Sequence, residues 1–246
     1  QAEDHFTAAD QIQGANYPDG RHLSSMAGSL WAEWLARTAR AGTARTLTAR
    51  NMDICRRNGW NADAARCDRV LGRLALDAGD TAAAGQHLTA AAGCFRDGDY
   101  LTELAVTLTD LADHARAAGD LDAAGRYAAE AITIAAPRGM VPAQTAALAA
   151  RARICASHAT TAASPGHLAQ GRDAADAALR LATRHDLAWH ELDALRAHAA
   201  LDHAENTSNG WAARADALHA RLVPPGLDPD PLTTIEKLAA DQKAAE

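Results

Sequence analysis

The chain has 246 residues, about a quarter of them alanine, with only two phenylalanines and 4% aromatic residues overall. Alanine is the strongest helix former, and the β-branched and aromatic residues that favour strands are scarce, which argues against an all-β sandwich or barrel; the lack of a Val/Ile run for a buried parallel strand argues against a doubly wound sheet. A net charge of −7 and a sequence pI near 5.9 argue against generic binding to nucleic acid or anionic lipid, and no apolar run reaches the roughly 18 residues of a membrane span.

Taken in chain order, the first 19 residues form an extension with room for a short helix over 5–13 before a Tyr17-Pro18-Asp19-Gly20 break. Trp31 and Trp34 then lie at helical i,i+3 spacing, a pair that suits packing at the end of an array better than a binding platform. From Asn61 to Ala78 a stripe of Cys67, Leu71, Leu74 and Ala78 runs at helical spacing until Gly79; Asp80 then caps a helix whose stripe is Ala84, Leu88, Ala91 and Phe95. Forty residues on the pattern recurs, with Leu104, Leu108, Leu111 and Ala115, a Gly119-Asp120 break, and Ala124, Ala128, Ala131 and Ala135.

The breaks that precede each first helix also recur: Arg57-Asn58-Gly59-Trp60, Arg96-Asp97-Gly98-Asp99-Tyr100, Pro137-Arg138-Gly139-Met140 and Arg184-His185-Asp186-Leu187. The last interval is stretched by a Ser/Thr/Ala-rich connection over Ser157–Pro165, where Ser164 is placed to cap the next helix. A fixed period of this length signals stacked supersecondary units. The reading is therefore all-α: about five antiparallel helical hairpins over 20–58, 61–96, 100–136, 141–184 and 187–221, forming a right-handed α-solenoid across 20–222. Residues 223–246 contain four of the eight prolines and read as a linker or elbow with a final helix to about Ala245.

Leu71-Gly72 followed by Ala84, Leu88 and Ala91, and Leu111-Ala112 followed by Ala124, Ala128 and Ala131, resemble the tetratricopeptide repeat (TPR) pattern. There, small residues let two helices cross closely while one larger residue fills the space beside them. The 40-residue period and the Gly-Asp breaks are similar to the TPR-like sensor arrays of bacterial STAND-type signal-transduction ATPases and transcriptional regulators. That resemblance implies a non-catalytic protein- or peptide-binding scaffold, the sensor or regulatory region of a larger protein, partnered by a peptide or a neighbouring domain.

No P-loop, zinc-protease helix motif, nucleophile elbow or Asp-rich magnesium cluster occurs, so no cofactor, metal or catalytic residue is assigned. His198 and Asp202 at i,i+4 are the nearest approach to a ligand pair, and a solvated helix-surface contact explains them as well. Cys55, Cys67, Cys94 and Cys155 form no CxxC motif and fall inside expected helices, as free thiols in a reducing cytoplasm would. The chain opens on Gln1, which reads as a piece of a longer or processed protein.

In a TPR array the first helix of each hairpin lines a concave groove. Counted from Leu71-Gly72, the groove positions are Arg66, Arg69, Arg73 and Asp77, with Arg37 and Arg40 before them and Asp113, Arg116, Arg153 and Arg196 after. Arginine forks suit carboxylates or phosphates, so the expected partner carries an acidic segment. The competing explanation is a solvated face whose arginines pair with Asp63, Asp68, Asp77 and their neighbours. An all-α enzyme or a small-molecule sensor with its site in the groove is the alternative function.

Overall fold

The computed structural model describes residues 2–16, 23–162 and 165–237, and every element among them is helical. The helices are α1 (Ala2–Asn16), α2 (Ser25–Arg37), α3 (Ala41–Asn58), α4 (Asn61–Asp77), α5 (Thr81–Asp97), α6 (Leu101–Ala117), α7 (Leu121–Ala135), α8 (Val141–Ala162), α9 (Pro165–Arg184), α10 (Ala188–Glu205) and α11 (Trp211–Leu222). A short α12 covers residues 231–237. The expected Tyr17–Gly20 break, the Ser164 cap and the end of the last helix near Ala245 lie outside the described residues. None of the described helices is long and apolar enough to cross a membrane.

Why the helices stop where they do is legible residue by residue. At the end of α4 and α6 the chain turns through Gly79 and Gly119 with φ of +80° and +83°. In each turn the next amide reaches five residues back, Asp80 N to the Ala75 carbonyl and Asp120 N to the Ala115 carbonyl, both at 2.9 Å. These bonds satisfy carbonyls that the helix end leaves open. The same two aspartates then cap the following helices, accepting from Ala83 N at 3.0 Å and Ala123 N at 2.9 Å. Between helix pairs the left-handed residue is Gly59 or Gly139 in two turns but Asp99 or Asp186 in two others. Trp60, Tyr100, Met140 and Leu187 follow these four residues, each donating to a carbonyl five residues back. Tyr100 also lays its ring edge-on to Phe95, 6.3 Å between centroids. The recurring residue after each break thus closes a helix-terminating turn through its backbone amide.

The chain divides into two compact units. The first comprises Gln1–Cys94 together with Gly226–Glu246. Its α2, α3 and α4 pack on one another, burying Trp31, Leu35, Leu47, Val70 and Leu74. Phe6 of α1 stacks on Trp31 with centroids 6.0 Å apart and also meets Trp34 at 5.6 Å, so the tryptophan pair is covered from the N-terminal side. Leu232 and Ile235 of α12 enter the same core. The proline-bearing segment beyond residue 226 therefore folds back as part of the first unit.

In the second unit, Phe95–Pro225, each helix packs on its sequence neighbour. In addition the first helix of each pair packs on the first helix of the next, α6 on α8 and α8 on α10, as α2 does on α4 in the first unit. The core is made largely of alanine: Ala112, Ala124, Ala128, Ala131 and Ala135 on α6 and α7, and Ala149, Ala152, Ala175, Ala178, Ala194 and Ala197 on α8 to α10. Close approach is most acute at two glycines. A Cβ on Gly72 would sit 2.7 Å from Leu88 Cγ, and one on Gly171 would sit 2.6 Å from Leu201 Cδ2 and 2.9 Å from Cys155 Cβ. Gly72 thus marks a point of close approach between α4 and α5. Leu71 itself is half-buried and Ala78 exposed, and Val70, 1% exposed, is the larger residue that fills the core beside Leu74.

Candidate functional site

The arginine face of α4 is built as a set of ion pairs. Arg66 Nη1 lies 2.5 Å from Asp63 Oδ1, and Arg73 Nε lies 3.3 Å from Asp77 Oδ1. Arg69 crosses to α2 and pairs with Glu33. Two of the three contacts are along one helix, at i,i+3 and i,i+4, where opposite charges contribute only a few tenths of a kcal/mol each. The Arg69–Glu33 pair instead joins the first helices of consecutive pairs.

The second unit repeats the device more deeply. Arg153 on α8 holds Asp113 on α6 through both carboxylate oxygens, with Nη2 at 2.8 and 3.0 Å and Nε at 3.2 Å. The Asp113 side chain is only 8% exposed, and Arg116 Nε stands 3.7 Å from its Oδ1. Arg196 on α10 and Arg37 on α2 are exposed. The guanidiniums of Arg66, Arg69, Arg73, Arg116 and Arg153 thus already face carboxylates.

Arg40 requires a correction. It is buried, 6% exposed, and faces no groove. Its Nη1 donates to Glu3 of α1 at 2.6 Å and to the Asp228 carbonyl at 3.0 Å, its Nη2 donates to Thr38 Oγ1 at 2.8 Å, and the guanidinium lies 4.3 Å from the Trp34 ring centroid. The count from the repeat motif placed Arg40 on the helix that precedes it, whereas α2 ends at Arg37 and Arg40 sits in the turn, pointing at the returning C-terminal segment.

His198 and Asp202 do not form a ligand pair. The His198 ring is buried and stacks on Trp211 of α11, centroids 4.1 Å apart and planes 14° off parallel. Its Nε2 is 3.2 Å from Asp176 Oδ1, but the alignment fails as a hydrogen bond and both ring nitrogens lack a partner. Burial lowers its pKa, and the carboxylate of Asp176 pulls the other way. Asp202 faces the turn after α10, accepting from Asn209 N at 2.7 Å, Asn209 Nδ2 at 2.9 Å and Arg172 Nη2 at 3.0 Å. Burial pushes its carboxyl up, but these donors outweigh it and hold the pKa below the ordinary value. Arg172 pairs also with Glu205. Among the described residues no group of three or more His, Cys, Asp or Glu side chains is placed to hold a metal ion. The thiols of Cys55, Cys67 and Cys155 are buried, and burial pushes that of Cys67 up to about 12, so they fill space and are poor nucleophiles.

A feature the sequence did not announce lies between α9, α10 and α11: an open cleft of about 490 Å³. Leu195 and Leu218 form its apolar floor, Asp186 and Glu191 stand on the α9–α10 side, and Arg214 and Arg221 stand on α11. The Arg214 guanidinium lies over the Trp211 ring, 4.6 Å from its centroid, and the other face of that ring meets His198. Trp211 and Arg214 at i,i+3 were the available sequence signal. The convergence of residues 183–195 and 214–221 on one cleft had none. No family model, curated protein or solved structure matches the chain at a significant level.

Proposed function

We propose that this chain is a non-catalytic scaffold that binds a protein segment or peptide. In this reading its helix pairs are antiparallel hairpins of a right-handed TPR-like solenoid, and the chain is the cytoplasmic sensor or regulatory region of a larger bacterial signalling or transcription-regulating protein. One observation supports it above the others. The first helix of each pair packs on the first helix of the next within each unit, and Arg–carboxylate pairs one repeat apart, Arg69–Glu33 and Arg153–Asp113, join them. Stacking of this kind places stability in neighbour contacts and leaves an extended polar face for a partner.

The ion pairs refine what that face offers. An acidic partner must displace internal carboxylates at Arg66, Arg69 and Arg73, whereas Arg196 is exposed. The test is titration of the protein against a library of 20-residue peptides. The scaffold reading expects a related set of peptides with Kd values on the order of micromolar. Absence of any saturable peptide, together with turnover of ester, phosphate or glycoside reporters, would replace it with the enzyme reading. Changing Arg66, Arg69 and Arg73 together to Ala and finding partner affinity and salt dependence unchanged would remove the α4 face from the binding surface.

A further inference from the structure

Of the arginines that sequence spacing selects, Arg66, Arg69, Arg73, Arg116 and Arg153 are occupied by carboxylates, while two that it passed over are not. Among the described residues neither Arg214 nor Arg221 is ion-paired, and both line the α9–α11 cleft. They lie seven residues apart on α11, two helical turns, so they project on one stripe with about 10 Å between them along the axis. Arg214 is held in place by stacking on Trp211, which the buried His198 backs from the other face. A guanidinium fixed over an aromatic ring keeps its N–H edge available for bidentate pairing with a carboxylate and has lost much of its rotamer freedom beforehand.

The other wall has the opposite sign, through Asp186 and Glu191, and the floor between is apolar, through Leu195 and Leu218. An occupant complementary to this pattern is amphipathic and charge-polarised. A helix laid along α11 meets it when two carboxylates seven residues apart face Arg214 and Arg221. Leu-like side chains one turn in from each carboxylate then rest on Leu195 and Leu218, and a basic residue on the opposite flank faces Asp186 and Glu191. An extended strand fits less well, because its same-face side chains recur every 6.6–6.8 Å or so, not at about 10 Å.

We infer that the α9–α11 cleft is the docking site for an amphipathic helix of a partner protein, read by Arg214 and Arg221 through two acidic residues at i and i+7. This rests on the scaffold reading and names its site and the chemistry of its partner. Helix-in-groove recognition works through such anchors, with apolar burial giving affinity and the charges fixing register and orientation.

The experiment is selection from a display library of helix-forming 20-residue peptides, followed by fluorescence anisotropy of the selected peptides on three proteins: the unaltered chain, the Arg214→Glu/Arg221→Glu variant and the Arg66→Ala/Arg69→Ala/Arg73→Ala variant. Enrichment of acidic residues at i and i+7 is expected, with affinity falling about tenfold or more on the first variant and unchanged on the second. Peptides whose two acidic residues are changed to Lys should regain affinity for the Arg214→Glu/Arg221→Glu variant, which also guards against misfolding of that variant. Peptides that bind both Arg214/Arg221 forms equally, or that lose affinity only on the second variant, overturn the cleft and leave the scaffold reading standing. A library that returns no binder to the unaltered chain overturns both.

Discussion

Arg153 and Asp113 sit 40 residues apart, one repeat, and meet through both carboxylate oxygens between α8 and α6. The pair shows how an alanine-rich array obtains specificity: alanine cores pack closely but slide easily, and a buried, two-pronged ion pair fixes one helix register against the next. Its asymmetry gives a prediction. Arg153→Ala removes the two-pronged partner of a carboxylate that is only 8% exposed, with Arg116 remaining 3.7 Å from it. A loss of about 1–3 kcal/mol in urea unfolding is expected, reduced from the figure for a fully buried pair because Arg153 is partly in water. Replacing both partners, Arg153→Leu with Asp113→Leu, should cost less than Arg153→Ala alone, because no charge is then stranded. Equal costs would show that the pair contributes only contact area.

Arg40 makes the strongest case for a contribution from the returning C-terminal segment. It links Glu3, Thr38 and the Asp228 carbonyl while lying over Trp34, and Thr43 Oγ1 reaches the Pro229 carbonyl at 3.3 Å beside it. Arg40→Ala should lower stability by about 2–4 kcal/mol, and Arg40→Lys should recover little, since an ammonium cannot reach three partners from one planar group. Truncation before Gly226 should expose Leu47 and Ala44 where Leu232 and Ile235 now lie in the same cluster, and should lower the thermal midpoint of the first unit. Limited proteolysis that cuts α2 and α3 no faster in the truncated chain would refute this.

Two of the turns are built on the wrong residue for their backbone. Asp99 and Asp186 adopt φ of +55° and +54°, whereas Gly59 and Gly139 occupy the corresponding places in the other two turns. An L side chain there costs on the order of 1 kcal/mol, less for Asp than for most residues. Asp99→Gly should therefore change stability by about +0.5 kcal/mol, the relieved strain being partly offset by the greater freedom of glycine in the unfolded chain. Asp99→Val should destabilise by more than 1 kcal/mol or so. Thermal unfolding of the two variants decides it; a Val variant as stable as the natural chain would show that the turn relaxes.

These particulars also mark where sequence reasoning reached and where it stopped. Helix class, the 40-residue period and the stripes Ala84-Leu88-Ala91-Phe95 and Ala124-Ala128-Ala131-Ala135 were legible because each of those helices buries one face, and every one of these residues is 0% exposed. Ala147, Ala149 and Ala150 followed no register for a physical reason: α8 packs against α6, α7, α9 and α10, so it is buried on several sides and a single stripe vanishes. The αL residue before Tyr100 was masked by its neighbour, since Gly98 precedes Asp99 and only the backbone shows that Asp99 takes the positive φ. Arg40 and the α9–α11 cleft were invisible because the groups that meet there come from separate elements, Arg40 and Asp228 being 188 residues apart and the cleft being lined from α9, α10 and α11.

His198 ties α10 to α11 through Trp211, and its protonation should set the acid limit of that corner. The ring faces Asp176 and Arg172 from α9, Asp202 from its own helix and Arg214 from α11. Burial is the largest influence and lowers the pKa below the ordinary 6.5, so the folded state prefers the neutral ring. The sign follows from proton uptake. Below about pH 6.5 the unfolded chain binds a proton at this residue that the folded chain does not, so stability falls as pH drops from there towards the folded value. His198→Phe keeps a ring against Trp211 and removes the titration. The difference in hydrogen-exchange protection of the α10 amides between the natural chain and His198→Phe should therefore shift in favour of the variant as pH is lowered from about 7.5 to about 5. A difference independent of pH would mean that the ring opens to water before it charges. A shift in the opposite direction would mean that the imidazolium gains more from Asp176 and the Trp211 face than it loses by burial.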